Sequence, residues 1–114
     1  MKGETIMTDF SVNEMLEMQK ALHEKYKDQW EPISAKAGRS HLLWMIGEAG
    51  EVIDIIKKHG DEEAAADAEL RKDLVEELAD VLMHYTDILL CYSISAGELK
   101  QAFSGKLEKN MKRW

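Results

Sequence analysis

Cysteine is nearly absent: Cys91 is alone, so no disulfide can form within the chain. A reducing, cytoplasmic setting is the expectation that follows. One proline and seven glycines leave few breakers of regular structure. Asn-Gly and Asp-Gly pairs are missing, and so are β-branched runs, which argues against hairpins and sheets. No stretch reaches the roughly 18 apolar residues that a membrane-spanning helix needs. The start, Met1 to Phe10, lacks the apolar core of a signal peptide, and residues 1–8 read as a frayed lead-in. Positive charge is short as well: 15 Lys and Arg face 22 Asp and Glu, a net charge of −7. A binder of nucleic-acid backbone wants a basic face, so neither nucleic acid nor membrane is an expected partner. A nucleotide substrate stays open, because a bound cation inverts the local field.

What is present is a chain of 114 residues, 45% hydrophobic and 32% charged. That suits one domain over residues 1–114 with a core of its own. The periodicity is helical throughout and predicts an all-α, four-helix bundle. The first helix is expected from Ser11 to Trp30, on the stripe Val12, Met15, Leu16, Met18, Leu22 and Tyr26, with Pro32 closing it. Gly38 to Ser40 read as a loop and a cap, and the second helix runs from Ser40 to His59 with Gly60 just past its end. The acidic, alanine-rich stretch Asp61–Ala68 is open between a loop and a weak helical extension. The third helix is expected over Glu69–Tyr92. The fourth starts near Ser95, where Ser95 and Glu98 have capping-box spacing, and continues to the tail.

The chemistry lies in the second and third helices. Glu48 and Glu51 are three residues apart, as are Glu77 and Asp80, and residues three apart share a helix face. On a wheel of about 100° per residue, the stripe Leu42, Met45, Ala49, Val52, Ile53 and Ile56 faces the core. Glu48 and Glu51 flank it, together with His41, Trp44 and Ile55. In the third helix Glu77 and Asp80 flank Leu74, Leu78, Val81, Tyr85, Ile88, Leu89 and Tyr92, and Asp73, His84 and Asp87 share their sector. If the helices pack antiparallel, four carboxylates converge, and they repel unless protonated or bridged by cations. Oxygen ligands suit hard Mg²⁺, which keeps water positions for substrate phosphates. Surface charge on amphipathic helices is the plain alternative for either pair alone; the matched positions of the two pairs weigh against it. A di-iron bundle would want Glu-x-x-His, but the residues three before His23, His41, His59 and His84 are Lys20, Gly38, Ile56 and Val81. Cysteine-rich zinc chemistry is excluded by the single cysteine.

Gly47-Glu48-Ala49-Gly50-Glu51, then 25 residues, then Glu77-Leu78-Ala79-Asp80, resembles the all-α nucleoside triphosphate pyrophosphohydrolases of the MazG-like superfamily. Gly47 stands where that pattern carries its first glutamate, a form that resembles the dCTP pyrophosphatase branch. The resemblance implies hydrolysis of a (deoxy)nucleoside triphosphate to the monophosphate and pyrophosphate, for house-cleaning or pool balancing, with a dCTP- or dATP-like substrate preferred. It implies Mg²⁺, or Mn²⁺ in its place, held by Glu48, Glu51, Glu77 and Asp80, with Glu48 or Glu51 activating the water. Lys106, Lys109, Asn110 and Arg113 resemble a set that contacts phosphates in related enzymes. Base contacts are expected from His23 and Trp30, with Trp44, His84 and Tyr85 as further candidates; a role in the core or an interface competes for each aromatic. The family also implies a homodimer or a dimer of dimers. A dUTP- or phosphoribosyl-ATP-directed activity, or a catalytically silent helical interaction module, are the other readings.

Overall fold

The computed structural model describes residues 9–113; the lead-in expected over residues 1–8 lies outside them. Five helices follow one another: α1 (Val12–Lys25), α2 (Ala35–His59), α3 (Asp61–Ala66), α4 (Ala68–Cys91) and α5 (Ala96–Arg113). No strand occurs among the described residues, so the fold is all-α, with four long helices and one short one.

A capping box opens α1. The Glu14 N–H donates to Ser11 Oγ at 3.1 Å and the Ser11 N–H donates to the Glu14 carboxylate at 2.9 Å, which satisfies donors the helix itself cannot. The helix ends at Lys25, short of the expected Trp30. The backbone N–H groups of Gln29 and Trp30 both donate to the Tyr26 carbonyl, at 2.9 and 2.8 Å. That turn folds Trp30 back to stack on Tyr26, with ring centroids 4.8 Å apart.

The second helix begins earlier than the sequence suggested. Ser34 is its N-cap, accepting from the Ala37 N–H at 3.2 Å, and Gly38 lies inside the first turns instead of in a loop. Its role is close approach: a Cβ at Gly38 would stand 2.5 Å from Tyr92 Cε2. The missing side chain lets the start of α2 meet the end of α4. Gly60 stops α2, as expected, in a conformation (φ 93°, ψ 153°) that side-chain-bearing residues avoid. The acidic stretch after it forms the short helix α3, with Ala64 buried. Asp67 then caps α4, its carboxylate accepting from the Leu70 N–H at 3.0 Å. Ser95 caps α5 by accepting from the Glu98 N–H, the spacing read from the sequence.

Helices α2 and α4 make the main packing pair, α1 lies on α4, and α3 touches both. Gly38 meets Tyr92, His41 meets His84, and Glu48 reaches Glu77. Pairing that descends on one helix as it climbs on the other is antiparallel. The fifth helix packs extensively on none of the others. The core of one chain is small: Leu16, Ala37, Ala64, Leu89 and Cys91 are the buried apolar residues. Several stripe residues expected inside, among them Leu42, Ile53, Leu78 and Tyr92, are exposed in the single chain. The Cα radius of gyration is 16.7 Å, against about 13 Å for a compact chain of this length.

Candidate functional site

The antiparallel pairing of α2 and α4 decides where the acids go. Each carboxylate pair occupies one helical face, and the two faces oppose each other. Glu48, Glu77 and Asp80 each place an oxygen within 4.8 Å of the others. The Glu77 carboxyl is pushed above the ordinary glutamate range, first by desolvation and then by the charges of Asp80 and Glu48, a hydrogen bond with Glu48, and the charge of Glu51. The other three expected acids therefore all act on Glu77. Like charges so close favour either a retained proton or a cation between them. Oxygen donors alone, without sulfur or imidazole, fit a hard divalent cation.

Beside the acids lies a cavity of about 440 Å³ whose wall includes His23, Trp30, His41, Trp44, Asp80 and His84. Asp80 thus belongs to both the acidic cluster and the cavity. The local fold explains the aromatic wall. The turn after α1 carries Trp30 to an edge-on contact with His23, at 5.3 Å between centroids. One turn of α2 places His41 against Trp44, at 5.0 Å, and Trp44 in turn lies 6.0 Å from His84 on α4.

Asp87 and Gln19 are the most buried polar residues in this wall, each 5% exposed. Gln19 Nε2 donates to Asp87 Oδ1 at 2.8 Å. His23 Nε2 lies 2.9 Å from the same oxygen. His41 Nδ1 stands 3.3 Å from Asp87 Oδ2 and 3.3 Å from His84 Nδ1. Burial lowers the His41 pKa, opposed by the Asp87 charge and assisted by the neighbouring His84 and His23. No buried side-chain nitrogen or oxygen among the described residues is left without a partner.

Of the base-contact candidates, His23, Trp30, Trp44 and His84 meet in the cavity, and Tyr85 lies outside its wall. Lys106, Lys109, Asn110 and Arg113 sit on α5, and none of them lines the cavity of their own chain. Gln19, His41 and Asp87 were not singled out as site residues from the sequence. A signal existed for two of them: His41 precedes Glu48 by seven residues and Asp87 follows Asp80 by seven, two helical turns along the same face.

The MazG nucleotide pyrophosphohydrolase domain profile matches residues 36–114. The chain belongs to this family. The match spans well over half of the sequence and contains both carboxylate pairs, so hydrolysis of a nucleotide pyrophosphate linkage is the general activity that membership carries. No curated protein and no solved structure matches the chain. The MazG match begins at Lys36, so Gln19 and His23 on α1, which supply one wall of the cavity, precede it. No helix among the described residues is long and apolar enough to cross a membrane.

Proposed function

We propose that the chain is a Mg²⁺-dependent pyrophosphohydrolase that cleaves a deoxynucleoside triphosphate, of dCTP or dATP type, to the monophosphate and pyrophosphate. Its role would be house-cleaning or balancing of nucleotide pools. The observation that carries the reading is the meeting of Glu48, Glu77 and Asp80 beside a cavity walled by Trp30 and Trp44. An aromatic slot suits a base, because every base offers a π-face. A cluster of oxygen donors next to it suits the phosphates through a cation.

In this mechanism Glu48, Glu51, Glu77 and Asp80 would hold the metal, Mg²⁺ or Mn²⁺. When bound, the ion neutralises phosphate charge and stabilises its development during hydrolysis. Glu48 or Glu51 orients the attacking water and accepts its proton. Trp30 and Trp44 clamp the base, and His23 and His84 border it.

The phosphate contacts assigned to Lys106, Lys109, Asn110 and Arg113 require a second copy in this reading. The apolar surface supports such a copy. Leu43, Ile46 and Ile53 form an exposed row on α2, and Val75, Leu78 and Leu82 form another on α4. Contiguous apolar rows left in water favour an interface. The site is then shared within a homodimer or a dimer of dimers, with α5 of one chain serving its partner.

The test is pyrophosphate release from a panel of canonical and modified NTPs and dNTPs, with dUTP and phosphoribosyl-ATP included, with and without Mg²⁺. Release should need the metal, and Glu51→Gln and Asp80→Asn should each lower it by about a hundredfold or more. A folded chain that releases none from any nucleotide would sink the proposal in favour of a silent interaction module.

A further inference from the structure

Asp87 and its histidines form a second polar centre that supplies no ligand to the carboxylate cluster, although His23 and His84 also border the base site. It is built on α1, α2 and α4 together, since His23, His41 and Asp87 come from one helix each. Their ligand atoms, one from each residue, all lie within 4.8 Å of one another. The donor set differs from the acidic cluster: two imidazoles and one carboxylate, with a third imidazole, His84, adjoining. The His41 and His23 ring nitrogens stand 3.3 and 2.9 Å from the two Asp87 carboxylate oxygens, which has a direct geometric reading. Donors held tetrahedrally at about 2.0–2.1 Å from a zinc ion lie roughly 3.3 Å apart.

We propose that His23, His41 and Asp87 form a binding site for a transition-metal cation of the Zn²⁺ or Co²⁺ kind, separate from the carboxylate cluster, with water completing the coordination. Nitrogen-rich donor sets select such ions, whereas all-oxygen sets suit Mg²⁺. In the cation-free chain the His23 and His41 nitrogens meet Asp87 across protons. A cation replaces those protons: each neutral ring carries its proton on its far nitrogen and turns a lone pair inward. Ligation needs neutral imidazole, the form that burial favours for His41. Gln19, donating to Asp87 Oδ1 at 2.8 Å, holds the carboxylate in place, as outer partners of metal ligands do. Trp30 and Trp44 pack on the rings of His23 and His41, which narrows access and favours a low coordination number.

The experiment is a titration of the metal-free full-length chain with Co²⁺, without nucleotide, followed by visible absorption and tryptophan fluorescence. About one equivalent per chain should give the intense bands of a four-coordinate, nitrogen-ligated ion and quench the adjoining indoles. One equivalent of Zn²⁺ should remove the bands and excess Mg²⁺ should not. The bands should persist in Glu48→Gln and Asp80→Asn and vanish in His41→Gln and Asp87→Asn, with helical circular dichroism confirming that each variant folds. Should the histidine and Asp87 variants unfold, the wild type with the two carboxylate variants still decides the matter. Only weak octahedral bands in the wild type, or bands that vanish in the carboxylate variants, would overturn the proposal. Survival of the bands in folded His41→Gln would do the same. The readout needs no turnover, so loss of this site and loss of the pyrophosphohydrolase reading are separate results.

Discussion

Glu77 lies on the face of α4 that meets Glu48, and desolvation, then the neighbouring carboxylates, raise its carboxyl above the ordinary glutamate range. The consequence for stability has a definite sign. A carboxyl whose folded pKa is raised binds its proton more tightly folded than unfolded. Its contribution to stability is complete below the unfolded value, about 4.3 for glutamate, and is lost as the pH rises through the folded one. At neutral pH without metal, Glu77 is therefore a destabilising charge. We expect Glu77→Gln to raise the melting temperature of metal-free protein at pH 7 and to leave it nearly unchanged near pH 4. The same substitution should abolish the further rise that Mg²⁺ produces in the wild type. Thermal unfolding across pH, with and without Mg²⁺, reads both effects; a lower melting temperature for metal-free Glu77→Gln at pH 7 would contradict this account. Asp87 shows the opposite management of a buried acid. Its neighbours are a donor amide and imidazoles, so it is satisfied by hydrogen bonds and not crowded by charge.

Among the elements, the glycines show how far local rules reach. Gly60 follows Lys57, Lys58 and His59 at a helix end, and that local signal placed the stop of α2 correctly. Its backbone, at φ 93° and ψ 153°, lies in a region essentially reserved for glycine. Gly60→Ala should therefore cost about 1–3 kcal/mol, measured as a lower midpoint in urea with an unchanged m-value. No change in midpoint would mean that the joint between α2 and α3 adapts freely. Gly38 was read as a loop residue by the same local rule, and the reading failed. What decides Gly38 is the ring of Tyr92, 54 residues away in sequence, and no local window contains it. The end of α1 is a similar case: the helical stripe continues past Lys25, but the double donation to the Tyr26 carbonyl ends the helix sooner.

For the whole molecule, the dominant fact is how little one chain buries. Among the described residues five apolar ones are buried, while Ile46 is 61% exposed, Phe103 72% and Met111 77%. The radius of gyration of 16.7 Å exceeds the roughly 13 Å of a compact chain of this length. If the rows on α2 and α4 face a second copy, a charge at their centre is incompatible with association. We expect Ile46→Glu to weaken the dimer roughly 30-fold or more, the effect of losing about 2 kcal/mol at an interface centre. Light scattering coupled to size exclusion, run over a dilution series, measures it. A wild-type chain that is monomeric at all concentrations would remove the basis for a shared site. Pyrophosphate release should fall together with the dimer if α5 serves the partner's cavity.

Helical content, the acidic pairs and their shared helix faces were all legible in the sequence, because each depends on spacing of three or four residues within one helix. The caps at Ser95 and Gly60 were legible for the same reason. Only the tertiary structure decided that α2 and α4 run antiparallel in the register that joins Glu48 to Glu77. The same packing assembled Gln19, His23, His41, His84 and Asp87 into one buried network. Such a network joins residues from three helices, and their distances depend on how those helices cross and not on any repeat along the chain. The exposed stripes show the converse limit. Periodicity identifies which face of a helix is apolar, but whether that face is covered by its own chain or by another depends on packing between elements.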